Sequence, residues 1–167
     1  YGNCDRDGTV FDDRVYWSAI RDGNLINDHT VDFESFETRE KDRVRALRKI
    51  SDLVLVGKLN NLFSMVITPT ADKPFAIQEE PAGRYKGPVS QQAMLEAEQR
   101  IFWLGQSNIH SFDMFFRIRD WADVLKPTIL GLNASRLEFT VAGYDIDRNL
   151  ILFSVSASGS TTHDTVI

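Results

Sequence analysis

The sequence predicts an α+β domain, or a small three-layer α/β domain, with about three helices packed on a mixed sheet and a β-hairpin at the carboxyl end. Three observations carry this reading. Apolar residues recur every three or four positions in three separate stretches, strict alternation replaces that spacing near the end of the chain, and a short apolar β-branched run lies between the two regimes. With 167 residues, 43% of them hydrophobic, and no internal repeat or second composition regime, residues 1–167 are expected to form one domain.

The first helix is expected from Ser35 to about Ile50. Phe36, Val44, Leu47 and Ile50 fall on one helical face, and Glu37 and Lys41 are spaced to pair one turn apart. Leu53-Val54-Leu55-Val56, ended by Gly57, reads as a buried strand, and Phe63 to Thr68 as a second. Pro69 to Pro88 holds four of the five prolines and reads as a long connection. A second helix is expected from Ser90 to Leu104, with Met94, Ala97, Ile101 and Leu104 as its stripe and Gly105 as its stop. Ser111 can cap a third, in which Phe112, Met114, Phe115, Phe116, Ile118, Trp121 and Leu125 are assigned to the core before Pro127 ends it. Leu137, Phe139 and Val141, then Ile151, Phe153 and Val155, alternate as a hairpin does, with Asp145 to Asn149 supplying its turn.

Composition narrows the function. Twenty-four acidic against nineteen basic residues give a net charge of −5, a field that repels nucleic-acid backbones and anionic membrane surfaces, so neither is expected as a partner. The local basic run Arg39, Lys41, Arg43, Arg45, Arg48 and Lys49 reads as a solvated helix face. Lone Cys4 cannot form an internal disulfide, and no signal-like leader is visible, so a cytoplasmic location is the default expectation. His29, His110 and His163 are too far apart for a short-spaced zinc motif, and no glycine-rich phosphate cradle occurs.

The most distinctive segment runs from Asn3 to Asp13, with four carboxylates, one amide oxygen and a glycine. Clustered carboxylates repel one another, and a hard divalent cation relieves that repulsion, so Ca²⁺ or Mg²⁺ is the expected cofactor. Asn3, Asp5, Asp7 and Gly8 stand at the first, third, fifth and sixth places of a calcium loop, which resembles EF-hand and dockerin-type loops; Asp13 falls one step before the twelfth place. Asn3, Asp5, Asp7, Asp13 and Asp145 are the candidate metal ligands.

Asp5-Arg6-Asp7-Gly8-Thr9-Val10 also resembles the first motif of the haloacid-dehalogenase-like phosphatases. That resemblance implies a Mg²⁺-dependent phosphohydrolase with Asp5 as nucleophile, Asp7 as acid/base and Lys126 as the motif lysine, the helix-then-strand from Ser35 to Val56 preceding its second motif. Val141-Ala142-Gly143-Tyr144-Asp145, with Phe153-Ser154-Val155 and Ser158-Gly159-Ser160, resembles a stretch of proteasome-type N-terminal-nucleophile hydrolases; Tyr1 in the first position implies an inactive relative. The leading expectation is a soluble protein-interaction domain or complex subunit that binds a protein partner or a second copy of itself, with a divalent cation in the acidic segment.

Overall fold

The computed structural model describes residues 2–6, 9–17, 32–38, 41–69 and 75–167. They form four antiparallel sheets that follow one another along the chain. The first holds β1 (Gly2–Arg6), β2 (Thr9–Trp17) and β3 (Asp32–Ser35); the second β4 (Val44–Ile50), β5 (Leu53–Lys58), β6 (Leu62–Ile67) and β7 (Phe75–Glu79). The third holds β8 (Met94–Ala97), β9 (Arg100–Leu104), β10 (Ile109–Asp113) and β11 (Ile118–Asp120); the fourth β12 (Val141–Asp145), β13 (Leu150–Val155) and β14 (Thr165–Val166). Every sheet is a simple meander in which each strand pairs with the next in sequence.

The sheets pack face against face with their first strands adjoining, β1 on β4, β4 on β8 and β8 on β12. First-strand contact between successive meanders is how the blades of a β-propeller are arranged. Among the described residues no comparable contact joins β12 to β1. Val15 and Phe36 cover one face of the second sheet at Val44, Val56, Phe63 and Met65. Its other face, with Ala46, Ile50, Leu53, Leu55 and Leu62, meets Met94, Ile101, Trp103 and Phe112 of the third. Leu95 and Phe102 on the far side of the third sheet meet Ala142, Tyr144 and Ile151 of the fourth.

This architecture overturns the expected α+β fold with about three helices on a mixed sheet. The described residues are mostly β, and the one α-helix among them, α1 (Lys126–Leu130), has five residues, continuing a 3-10 turn at Asp123–Leu125. The second predicted helix is instead the β8–β9 hairpin, turning at Glu98 and Gln99, both at positive φ as a tight hairpin turn requires. Burial of the third sheet on both faces explains the misreading. When inward and outward positions are alike apolar, the period-two signal vanishes, and the remaining apolar residues can be fitted to a helical stripe. Where the first helix was expected, Ser35 ends β3 and Val44–Ile50 forms β4, and the third expected helix is β10, a tight turn, β11 and the 3-10 turn at Asp123–Leu125. The expected hairpin at the carboxyl end is the β12–β13 pair, although Leu137 and Phe139, expected to alternate in it, lie in a 3-10 helix at Ala134–Phe139.

Lys58 ties the first two sheets together. It is fully buried on β5; its Nζ donates to the Phe36 carbonyl oxygen at 2.6 Å and to Thr38 Oγ1 at 3.3 Å, and sits 3.7 Å from Asp42 Oδ1. No helix among the described residues is long and apolar enough to cross a membrane.

Candidate functional site

In the acidic segment at the amino end, Asn3 and Asp5 lie in β1 and Asp13 in β2; the Asp5 backbone pairs with Val10 and that of Arg6 with Thr9. Tyr1, Asp7, Gly8, His29 and Arg39 lie outside the described residues, so the calcium-loop and phosphatase pairings through Asp7 do too. Asp13 is half-buried beside a cavity of about 360 Å³ that it shares with Asp12, Glu37, Thr38, Lys41 and Lys58. Its carbonyl oxygen accepts from Phe36 N–H at 2.8 Å. Asp145 is occupied in its own turn, Oδ1 accepting from the N–H groups of Asp147 and Arg148 at 3.1 Å each. Lys126 pairs with Asp123 at 3.0 Å. Among the described residues no three His, Cys, Asp or Glu side chains converge as a metal site would require. The helix-then-strand that the phosphatase resemblance places before a second motif is two strands, β4 and β5.

The basic run behaves differently from a solvated face. Arg45 Nη1 donates to the Val89 carbonyl oxygen at 2.9 Å, Arg48 Nη2 to that of Met94, and Arg43 pairs with Glu138 at 3.0 Å. These arginines clamp the first strand of the second sheet to the approaches of the third and fourth. Burial, then the neighbouring charge of Arg43, lowers the Arg45 pKa from its ordinary value.

A second polar cluster crosses the third sheet. His110 on β10 is buried, and its Nδ1 lies 2.8 Å from Asp120 Oδ1 on β11; Lys86 Nζ reaches the same carboxylate at 2.9 and 3.1 Å. Burial lowers the His110 pKa, outweighing the opposing pull of Asp120. The neutral ring therefore donates its Nδ1 hydrogen to Asp120. That leaves Nε2 as a buried acceptor without a partner among the described residues, packed against Gly105, where a Cβ would lie 2.7 Å away. Such an enclosed nitrogen has no open space in which to meet a substrate.

The feature that folding does not account for is the turn between β10 and β11. Phe115 is 74% exposed, Met114 45% and Phe116 42%, three consecutive large apolar side chains facing solvent. The turn holding them is firmly locked. Phe116 N–H closes it onto the Asp113 carbonyl oxygen at 3.1 Å, and Asp113 N–H donates to the Arg117 carbonyl oxygen at 3.2 Å. The Asp113 side chain braces it from within. Oδ1 accepts from Phe115 N–H at 2.9 Å and Arg117 N–H at 3.2 Å, while Oδ2 receives Arg117 Nε at 2.9 Å. Burial alone would raise the Asp113 pKa; the Arg117 side chain and the two backbone donors outweigh it and hold the pKa below the ordinary carboxylate value.

Phe116 has φ +60°, a left-handed conformation that costs a non-glycine residue about 1–2 kcal/mol. In a three-residue hairpin connection the last loop position ordinarily takes glycine. Here a phenylalanine takes it, and its ring packs edge-on against buried Phe112 at 5.9 Å and 87°. The Arg117 guanidinium lies 5.0 Å from the Phe115 ring centroid. At the other end of β11, Trp121 is 52% exposed; its Nε1 donates to Ser111 Oγ at 2.7 Å, and its ring leans on Phe102 at 5.8 Å.

The sequence reading assigned these aromatics to the core of a helix. The available signal was Asp113 and Arg117 flanking Met114-Phe115-Phe116, an Asp at the start of a tight turn with its cation four residues on. Neither a protein-family model nor a curated protein sequence matches the chain.

Proposed function

We propose that the chain is a protein-interaction domain, a subunit that associates with a protein partner through the turn carrying Met114, Phe115 and Phe116. The supporting observation is the combination of exposure, rigidity and strain at one place. Three large apolar side chains face water on a turn held by five hydrogen bonds, and one of them occupies a conformation that glycine would adopt at lower cost. A side chain already held in its bound geometry loses little entropy when a pocket closes on it, and aromatic anchors of this kind carry most of the energy of protein interfaces. Arg117, fixed over the Phe115 ring, supplies a polar rim to the apolar tip.

Affinity capture from the native source tests the proposal, using wild type, Phe115→Ser and an exposed control, Gln106→Ala, in the β9–β10 turn at the opposite end of the same sheet. Wild type and the control should retain one stoichiometric protein that Phe115→Ser loses. Loss of a hot-spot ring corresponds to roughly a 30-fold or greater weakening. Equal retention of the same protein by Phe115→Ser would refute the assignment.

A further inference from the structure

Arg45 sits where the first strand of the second sheet meets the segments leading into the third and fourth. It is the extra residue of a β-bulge: Val44 pairs with Lys58 and Ala46 with Gly57, which leaves Arg45 without a residue of its own opposite it on β5. A bulge re-aims the side chain it carries. Here the guanidinium lines two clefts, of about 220 and 280 Å³, that share Arg45, Val89 and Glu138.

Arg45 is half-buried, and among the described residues no acid stands within ion-pair distance of it. Glu138 is paired with Arg43 at 3.0 Å, and Asp42, the other acid near enough to act on Arg45, lies 3.7 Å from Lys58. Nη1 gives one hydrogen to the Val89 carbonyl oxygen at 2.9 Å, and Nε is enclosed without a partner among the described residues. That leaves Nη2 and the second Nη1 hydrogen for a ligand. Burial and the charge of Arg43 both disfavour the cation, and an anion joining it would offset both.

We infer that these clefts bind a small monocarboxylic acid with a short hydrocarbon body, its carboxylate across the Arg45 fork and its hydrocarbon against Leu59 and Leu137, which line the larger cleft. A planar guanidinium matches a carboxylate bidentately. A phosphate dianion needs more donors than remain, since the Ser90 hydroxyl is spent on the Thr140 carbonyl oxygen, the Gln91 amide on that of Leu47 and the Ser135 hydroxyl on Asn133. It would also meet the Glu138 carboxylate common to both clefts. Each cleft is smaller than the roughly 300–1,000 Å³ of a drug-sized site, which restricts the ligand to a short chain.

Nuclear magnetic resonance on the isotope-labelled full chain provides the test, with sodium isovalerate as the probe and sodium chloride at equal ionic strength as the blank. Isovalerate should move the amide signals of Arg45, Val89 and Leu137 to a saturating limit. Isovaleramide, which has the same shape and no charge, and inorganic phosphate should leave them in place. Arg45→Lys keeps the charge but not the fork and should weaken binding about tenfold. If that variant is unfolded, the comparison of acid with amide on wild type decides alone. Absence of saturation, equal movement with the amide or with phosphate, or undiminished binding by folded Arg45→Lys would overturn the inference.

Discussion

Asp113 decides whether the aromatic tip is a fixed anchor or a loose loop. Asp113→Asn keeps an acceptor for the two backbone donors but gives up the charge on Arg117, whereas Asp113→Ala gives up every side-chain bond. Chemical denaturation should show Asp113→Ala destabilised by about 1–3 kcal/mol and Asp113→Asn by less. Phe116→Gly removes a ring contact worth about 0.5–1.5 kcal/mol but relieves the strain at φ +60°, so its stability should stay near that of wild type while partner binding weakens. His110 links the third sheet to pH. Its folded-state pKa is lowered, so the unfolded chain takes up a proton first; its contribution is intact above about pH 6.5 and is lost as the pH falls below that value toward the folded-state pKa. Thermal melts between about pH 8 and pH 5, above the range in which ordinary carboxylates titrate, should decline for wild type and decline less for His110→Gln. Identical slopes would remove His110 from the account.

At the scale of elements, the first strands and the segments that clamp them set the architecture. Gly87, just ahead of the third sheet, is packed so tightly on the second that a Cβ would overlap the Lys58 carbonyl oxygen and lie 2.6 Å from that of Leu59. Those obstacles are backbone and cannot rotate away. Gly87→Ala should therefore cost about 3 kcal/mol in a denaturant titration, while Gly131→Ala, whose nearest neighbours would stand at 3.4 Å, should be close to neutral. The same elements show what the sequence made legible. Leu53 to Val56 read as a buried strand because its β-branched run is short and ends at Gly57, and the β12–β13 hairpin read as one because Ile151, Phe153 and Val155 alternate on the covered face and Asp145 to Asn149 supply the turn, although Val141 faces outward. β8, β9 and β10 were illegible as strands because both of their faces are buried, which erases alternation. The tip was illegible for a related reason. Composition registers that Phe115 and Phe116 are apolar, but their exposure depends on a turn whose closure needs the β10–β11 register.

At the scale of the whole molecule, four meanders share their interfaces in series, and the apolar side chains they leave exposed include Met114, Phe115 and Phe116 on the projecting turn of the third sheet. A consecutive apolar group on a locked turn is what an association domain presents. The described residues of the acidic segment, Asn3, Asp5 and Asp13 among them, lie in β1 and β2 of the first sheet. The central claim is that the aromatic turn is seated in a partner when the protein is at work. The most direct measurement is photo-cross-linking in the native source with benzoylphenylalanine at position 115, against the same group at exposed Gln106, at the opposite end of the sheet. The account predicts one discrete heterologous adduct from position 115, absent at position 106 and suppressed when Asp113→Ala loosens the turn; the same adducts from both positions, or none from position 115, would contradict it.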